Sequence, residues 1–248
     1  MEKSAFKLWL FFLPLFILTN SHNSYAQPSL FSVEMFKSGE DSLNYRFLFP
    51  DYNTMRELPL VIFLHGSGER GNDNDAQLKW GVMSFAKEDQ MKLHPVFILA
   101  PQCPEGQSWS HFLADETSGT IKLQDTPSKP MELLIELVHQ LIKDFPVDTN
   151  RIYITGLSMG GFGTFDAMAR YPDLFAAAVP VCGGGDLSTA PLIKDIPCWI
   201  FHGAEDTSVD PKNSVNMFQA LIDAGTHPGF TYYPELGHFS WLTTYSNP

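Results

Sequence analysis

The stretch 151-RIYITGLSMGGFGTFDAMAR-170 decides how the rest of the chain is read. Ile152, Tyr153, Ile154 and Thr155 form a β-branched and aromatic run, Gly156-Leu157-Ser158-Met159-Gly160 reads as a turn, and the Ala-, Met- and Phe-rich segment behind it predicts a helix. A strand, a sharp turn and a helix put Ser158 at an apex. Glycines two residues to either side let strand and helix approach, and the serine there is expected in a strained backbone conformation with its hydroxyl above the sheet edge. The helix aims its first N–H groups at the same spot, where the positive end of its dipole favours a developing oxyanion. Gly-x-Ser-x-Gly recurs by chance in long chains. Here the β-run before it and the amphipathic segment after it give it weight.

Outward from this unit, strands and helices alternate. Phe31 to Phe36 and Leu43 to Phe49 alternate apolar and polar residues around Gly39-Glu40-Asp41, which predicts an antiparallel hairpin. Leu58 to Leu64 is a continuous apolar run of the kind covered on both faces, and it feeds the glycine-rich loop His65 to Gly71. A first crossover helix is expected near Gln77 to Glu88 and a buried strand over Pro95 to Ala100. From Lys129 to Phe145, Leu133, Leu134, Leu137, Val138, Leu141 and Ile142 recur at helical spacing. Further strands are expected at Phe175 to Val181, Cys198 to Phe201 and Phe230 to Tyr233, with a helix over Pro211 to Ala224 that Gly225 ends. The pattern predicts an α/β fold: a mostly parallel central sheet with helices on both faces and an N-terminal antiparallel hairpin.

The 248 residues, 44% hydrophobic and 18% charged, suit one globular domain. Before it, Lys3 and Lys7, the apolar run Leu8 to Leu18, and Ser24-Tyr25-Ala26 read as a cleavable signal with the cut before Gln27. The expected organisation is a signal peptide over residues 1–26 and one domain over 27–248, in a secreted or periplasmic protein without stable membrane association after cleavage. The net charge of −12 opposes binding to nucleic acid and polyanions and favours neutral substrates. Three cysteines cannot all pair, and Cys103 with Cys182 is the one pair positioned for a bridge, against the alternative of buried free thiols.

A serine hydroxyl needs a base to become a nucleophile. Of eight histidines, His238, in a loop after the last predicted strand, is the best base; His65 and His202 each end a buried strand before a glycine and read as structural. The base needs an acceptor on its other nitrogen, and Asp206 fits that role, with Asp210 the runner-up. Glu205 and Asp186 read as solvated carboxylates. So does the 72–75 stretch, Asn-Asp-Asn-Asp, which lacks the glycine of a calcium loop. No metal or organic cofactor is called for.

The order Ser158, Asp206, His238, with the motifs HGSGERG, APQCPEG, GLSMG, HGAEDTSV and GH, resembles the α/β-hydrolase superfamily over most of residues 43–241. Within it the chain is similar to secreted esterases of the feruloyl and acetylxylan type and to the phospholipase/carboxylesterase, prolyl-oligopeptidase-like group. The resemblance implies an α/β-hydrolase fold and an oxyanion hole made by the backbone N–H groups of Ser67 and Met159. It also implies a serine esterase that works through an acyl-enzyme on a small-molecule or polysaccharide-linked ester. A serine peptidase of the prolyl-oligopeptidase type, or a non-catalytic binding protein on the same fold, are the alternatives. Trp109 and Trp241 are candidate substrate-binding rings, and Trp80, Phe112 and Phe239 lie on or near the same loops. Relatives of this kind continue past the histidine into a closing helix. This chain stops at Pro248, so a truncated C-terminus, an uncovered sheet face and a loosely held His238 are expected.

Overall fold

The structure is a computed structural model that describes residues 28–50, 56–115 and 120–246. The expected signal peptide lies outside the described residues. An eight-stranded sheet runs in the order β1-β2-β4-β3-β7-β8-β9-β10, and β5 with β6 forms a separate hairpin. The strands are β1 (Ser32–Ser38), β2 (Asp41–Leu48), β3 (Leu58–Leu64), β4 (Phe97–Gln102), β5 (Phe112–Asp115), β6 (Thr120–Leu123), β7 (Val147–Leu157), β8 (Ala177–Val181), β9 (Trp199–Gly203) and β10 (Gly229–Tyr233). The helices are α1 (Glu88–Leu93), α2 (Lys129–Asp144), α3 (Met159–Arg170), α4 (Lys212–Asp223) and α5 (Trp241–Ser246).

Antiparallel pairing is confined to β1 with β2 and β2 with β4 in the large sheet; from β4 through β10 every neighbour is parallel. The loops that leave β3, β7, β9 and β10 therefore all open at one edge. Both faces are covered, which explains the unbroken apolar runs. In β3, Leu60, Ile62 and Leu64 join the core under α2 and α3, whereas Phe63 joins a second core with Val82, Ala86, Leu157 and Trp241. Ser128 caps α2 by accepting from the Met131 N–H at 3.3 Å, and Leu133, Leu134, Leu137, Val138 and Leu141 are buried along one side of that helix.

Two expectations are corrected. Between β3 and β4 there is no helix over Gln77 to Glu88: short 3₁₀ turns at Ala76–Leu78 and Val82–Ser84 precede α1. Leu78, Val82 and Ala86 are buried as their spacing demands. Gly81, however, adopts φ +74 between the two turns, and an added Cβ would lie 2.5 Å from the Tyr245 ring, so this non-helical position admits only glycine.

The second correction concerns the end of the chain. A closing helix, α5, does follow His238. Its Tyr245 ring packs 5.2 Å from the Phe63 ring, and its hydroxyl lies 2.7 Å from Thr155 Oγ1, which donates to the Val179 carbonyl. Burial of that hydroxyl pushes the Tyr245 pKa up. The sheet face expected to be bare is covered.

His65, 1% exposed at the end of β3, ties three segments together. Its Nδ1 donates to the Gly66 carbonyl at 2.6 Å, its Nε2 accepts from the Cys103 N–H at 2.9 Å, and its own carbonyl accepts from Trp109 Nε1 at 3.1 Å. Burial lowers its pKa from 6.5 to about 4, so the ring is neutral and its tautomer is fixed by these partners.

Two tests follow from this packing. Tyr245→Ala should cost about 3 kcal/mol in urea denaturation and Tyr245→Phe about 1 kcal/mol, the first losing ring packing and the second a single hydrogen bond. His65 binds a proton near pH 6.5 when unfolded but only near pH 4 when folded. Stability should therefore fall as pH drops from about 6.5 to 4, by roughly 3 kcal/mol from this group. His65→Gln, measured over the same range, should show a shallower fall than the wild-type protein.

Candidate active site

Ser158 links β7 to α3 with φ 54 and ψ −117, one of three non-glycine residues with positive φ among the described residues. Holding it there costs about 1–3 kcal/mol. The surroundings over-determine it. Its N–H donates to the Val181 carbonyl of β8 at 2.9 Å and its carbonyl accepts from the Phe162 N–H at 3.1 Å. A Cβ on Gly160 would sit 2.0 Å from the Leu64 carbonyl oxygen, and one on Gly156 2.4 Å from the Gly160 carbonyl oxygen. Both glycines of the pentapeptide are therefore required by close backbone approach.

Across the sheet edge, the loops after β9 and β10 are laced to each other. The Ala204 N–H donates to the Tyr233 carbonyl at 2.8 Å and the Glu205 N–H to the Leu236 carbonyl at 3.0 Å. A Cβ on Gly203 would lie 2.3 Å from the Leu236 oxygen. This lacing brings Asp206 beside His238, which opens a short turn before α5. His238 Nδ1 lies 2.7 Å from Asp206 Oδ2, and His238 Nε2 lies 3.0 Å from Ser158 Oγ. An ionised carboxylate only accepts, so Nδ1 carries the proton and Nε2 accepts from the Ser158 hydroxyl.

Burial alone would raise the Asp206 carboxyl. The Val209 N–H, His238 and the Ser208 N–H outweigh it and hold the group below the usual carboxylate range. Both N–H groups donate to Oδ1 at 2.9 Å, leaving Oδ2 for histidine. Asp210, the runner-up, is exposed and accepts from the Lys212 N–H at 2.9 Å at the start of α4, away from His238.

Ser67 starts the turn that follows β3, and Met159 is the first residue of α3, where an N–H has no acceptor within the helix. Leu64 of β3 pairs with Gly156 of β7, so the two segments are neighbours at the sheet edge. The bond from His65 to the Gly66 carbonyl pins the loop just before Ser67.

The candidate substrate rings are corrected. Trp109 is 0% exposed; a Cβ on Gly163 would lie 2.5 Å from its Cβ, and its indole is spent on the His65 carbonyl. Trp241 is 4% exposed, with its ring edge-on to His238 at 5.0 Å. Neither offers a stacking face to solvent. The exposed aromatic surface beside His238 is Phe239, 57% exposed, with the half-buried Trp80 at 6.0 Å.

The cysteines are free and buried, with Cys103 and Cys182 unbridged, and burial pushes each thiol up to about 12. Cys182, Asp206 and His238 bring one ligand-type atom each within 4.8 Å of one another. Asp206 and His238 are already spent on each other, and the thiol keeps its proton. This donor set fits a triad rather than a cation.

The 72–75 stretch is more than solvated surface. Asp73 Oδ1 accepts from the Asp75 and Ala76 N–H groups and from Gln102 Nε2, and the buried Asn74 bonds to the Glu34 carbonyl and to Gln102. Asp186 is not solvated either: it accepts from the Leu123 N–H at 3.0 Å and from Lys122 at 3.2 Å, holding the β5–β6 hairpin. His202, read as structural, touches Asp206 Oδ2 at 3.2 Å. Its position four residues before the acid was the one signal in the sequence.

The chain resembles a solved thermostable esterase with a TM-score of 0.81 and 41% identity, over 89% of this chain and 61% of that one. It is 24% identical over 148 residues to a bifunctional acetylxylan esterase/xylanase of Neocallimastix patriciarum, and 26% identical over 178 residues to poly(3-hydroxyalkanoate) depolymerase C of Paucimonas lemoignei. Those matches span 60% and 72% of this chain but only 19% and 39% of those proteins. No helix among the described residues is long and apolar enough to cross a membrane. The phospholipase/carboxylesterase family model matches residues 53–246, and with a sharp strand–serine–helix turn and a carboxylate-backed histidine on an α/β-hydrolase sheet, the chain belongs to that family.

Proposed function

We propose that the protein is a serine carboxylic-ester hydrolase in which Ser158 is the nucleophile, His238 the general base and acid, and Asp206 the group that orients His238 and balances its charge. The observation that carries this reading is the continuous chain of contacts from Ser158 Oγ through His238 to Asp206, at 3.0 and 2.7 Å. In the mechanism, His238 Nε2 takes the Ser158 proton as Oγ attacks the ester carbonyl. The backbone N–H groups of Ser67 and Met159 receive the oxyanion, each contributing roughly 10²- to 10³-fold. The imidazolium then gives its proton to the departing alkoxide. Water, deprotonated by the same nitrogen, cleaves the acyl-enzyme.

The substrate is proposed to be a neutral ester, in keeping with the net charge of −12. The matched fungal relative is named for acetylxylan esterase activity, which supports an acyl group on a plant polysaccharide. Phe239 and Trp80 are the rings positioned to meet such a substrate next to His238. The N-terminal basic and apolar segment supports export.

Hydrolysis of short-chain nitrophenyl esters tests the assignment. Ser158→Ala should reduce kcat/KM by roughly 10⁴- to 10⁶-fold, and Asp206→Asn by about 10⁴-fold with KM little changed. A folded Ser158→Ala protein with wild-type turnover would refute it.

A further inference from the structure

His202 ends β9 fully buried, yet its ring faces three oxygen atoms besides one hydroxyl proton. Nε2 lies 3.2 Å from Asp206 Oδ2 and 3.1 Å from the Val209 carbonyl; Nδ1 lies 2.6 Å from Ser214 Oγ, which is 2.9 Å from the Gly183 carbonyl. Ser214 has one proton, and it serves either Gly183 or His202. If it serves Gly183, Nδ1 must donate, and Nε2, facing two acceptors, must donate too. If it serves Nδ1, the neutral ring carries its proton on Nε2. The remaining arrangement, a bare Nε2 pointing at a carboxylate and a carbonyl, places lone pairs against lone pairs in a buried site. Both acceptable states put a proton on Nε2.

We propose that His202 is a positioning residue for the catalytic acid: its Nε2–H is shared between the Val209 carbonyl and Asp206 Oδ2, the oxygen that also receives His238. This rests on the triad reading above. Asp206 then has three donors of its own, Ser208 and Val209 on Oδ1 and His238 on Oδ2, and the shared His202 Nε2–H at 3.2 Å from Oδ2 adds a fourth restraint on the carboxylate. The restraint reaches back to the nucleophile, because Ser214 Oγ lies 2.9 Å from the Gly183 carbonyl oxygen and a Cβ on Gly183 would lie 2.5 Å from Gly161 in α3. The titratable groups facing this ring are Asp206 and, beyond it, His238, with the protonated Cys182 thiol against that pair; α4 presents the neutral Ser214. Burial favours the neutral ring, opposed by the Val209 carbonyl and Asp206.

The test compares His202→Leu, which removes the donor, with His202→Gln, whose amide N–H reaches the Nε2 position. His202→Leu should lower kcat roughly 10- to 100-fold with KM within about twofold. His202→Gln, which keeps a donor at that position, should restore most of the lost kcat. A wild-type kcat in His202→Leu, or identical behaviour of the two variants, would overturn the proposal. Because His202→Leu risks misfolding, nitrogen NMR of the histidine-labelled wild-type protein decides independently at neutral pH. A protonated His202 Nε2 supports the proposal, and a bare Nε2 overturns it. Neither readout depends on whether Ser158→Ala is inactive, so failure here leaves the triad standing, and failure of the triad is seen first in Ser158→Ala.

Discussion

The structure depends on how closely α3 is allowed to approach the end of β3. Gly160 sits where any side chain would strike the Leu64 carbonyl at 2.0 Å, and Gly161 where one would strike the Val181 carbonyl at 2.4 Å. With helix and sheet in backbone contact, the connecting residue has no room for an ordinary conformation. Ser158 absorbs the mismatch at φ 54. The same contact puts the first N–H of α3 beside the loop leaving β3. One packing constraint thus sets the Ser158 hydroxyl against His238 and brings together the two segments carrying the proposed oxyanion donors.

The acidic side of the site is built differently, by hydrogen-bond saturation. Four loops meet at the carboxyl edge of a parallel sheet, and loops by themselves are poorly fixed. Here the loops after β9 and β10 exchange backbone hydrogen bonds, and Asp206 is held from its own loop by two N–H groups. That outweighs the cost of burying the charge and keeps the carboxylate ionised beside His238. A histidine at the end of each of two strands does the remaining work. His65 fixes the loop before Ser67, and His202 borders Asp206.

Where local chemistry determines structure, the sequence was legible. The runs at Leu58–Leu64 and Ile152–Thr155, the periodicity of α2, and the order Ser158, Asp206, His238 led to the sheet and to side chains that the structure brings within 3.0 Å of each other. What failed depended on distant partners. At the break, Gly81 at φ +74 leaves no room for a side chain beside Tyr245, more than one hundred and sixty residues on, and no periodicity carries that information. Trp109 lies on a loop at the active edge, but Gly163 leaves a socket in α3 that draws the ring inward. The eight residues after Gly-His-Phe-Ser at the chain end read as too few to close a sheet face. They suffice because Trp241 and Tyr245 are large rings one helical turn apart, and both pack on the second core.

Backbone strain and the Asp206–His238 pair single out Ser158, among the serines of the chain, as the proposed nucleophile. The most direct measurement is the site of a covalent adduct after treatment with an organophosphorus ester, located by mass spectrometry of the digested protein. The account requires one equivalent on the peptide containing Ser158, formed rapidly in the native state and not after unfolding. An adduct on another residue, or equal labelling of native and unfolded chains, would contradict it.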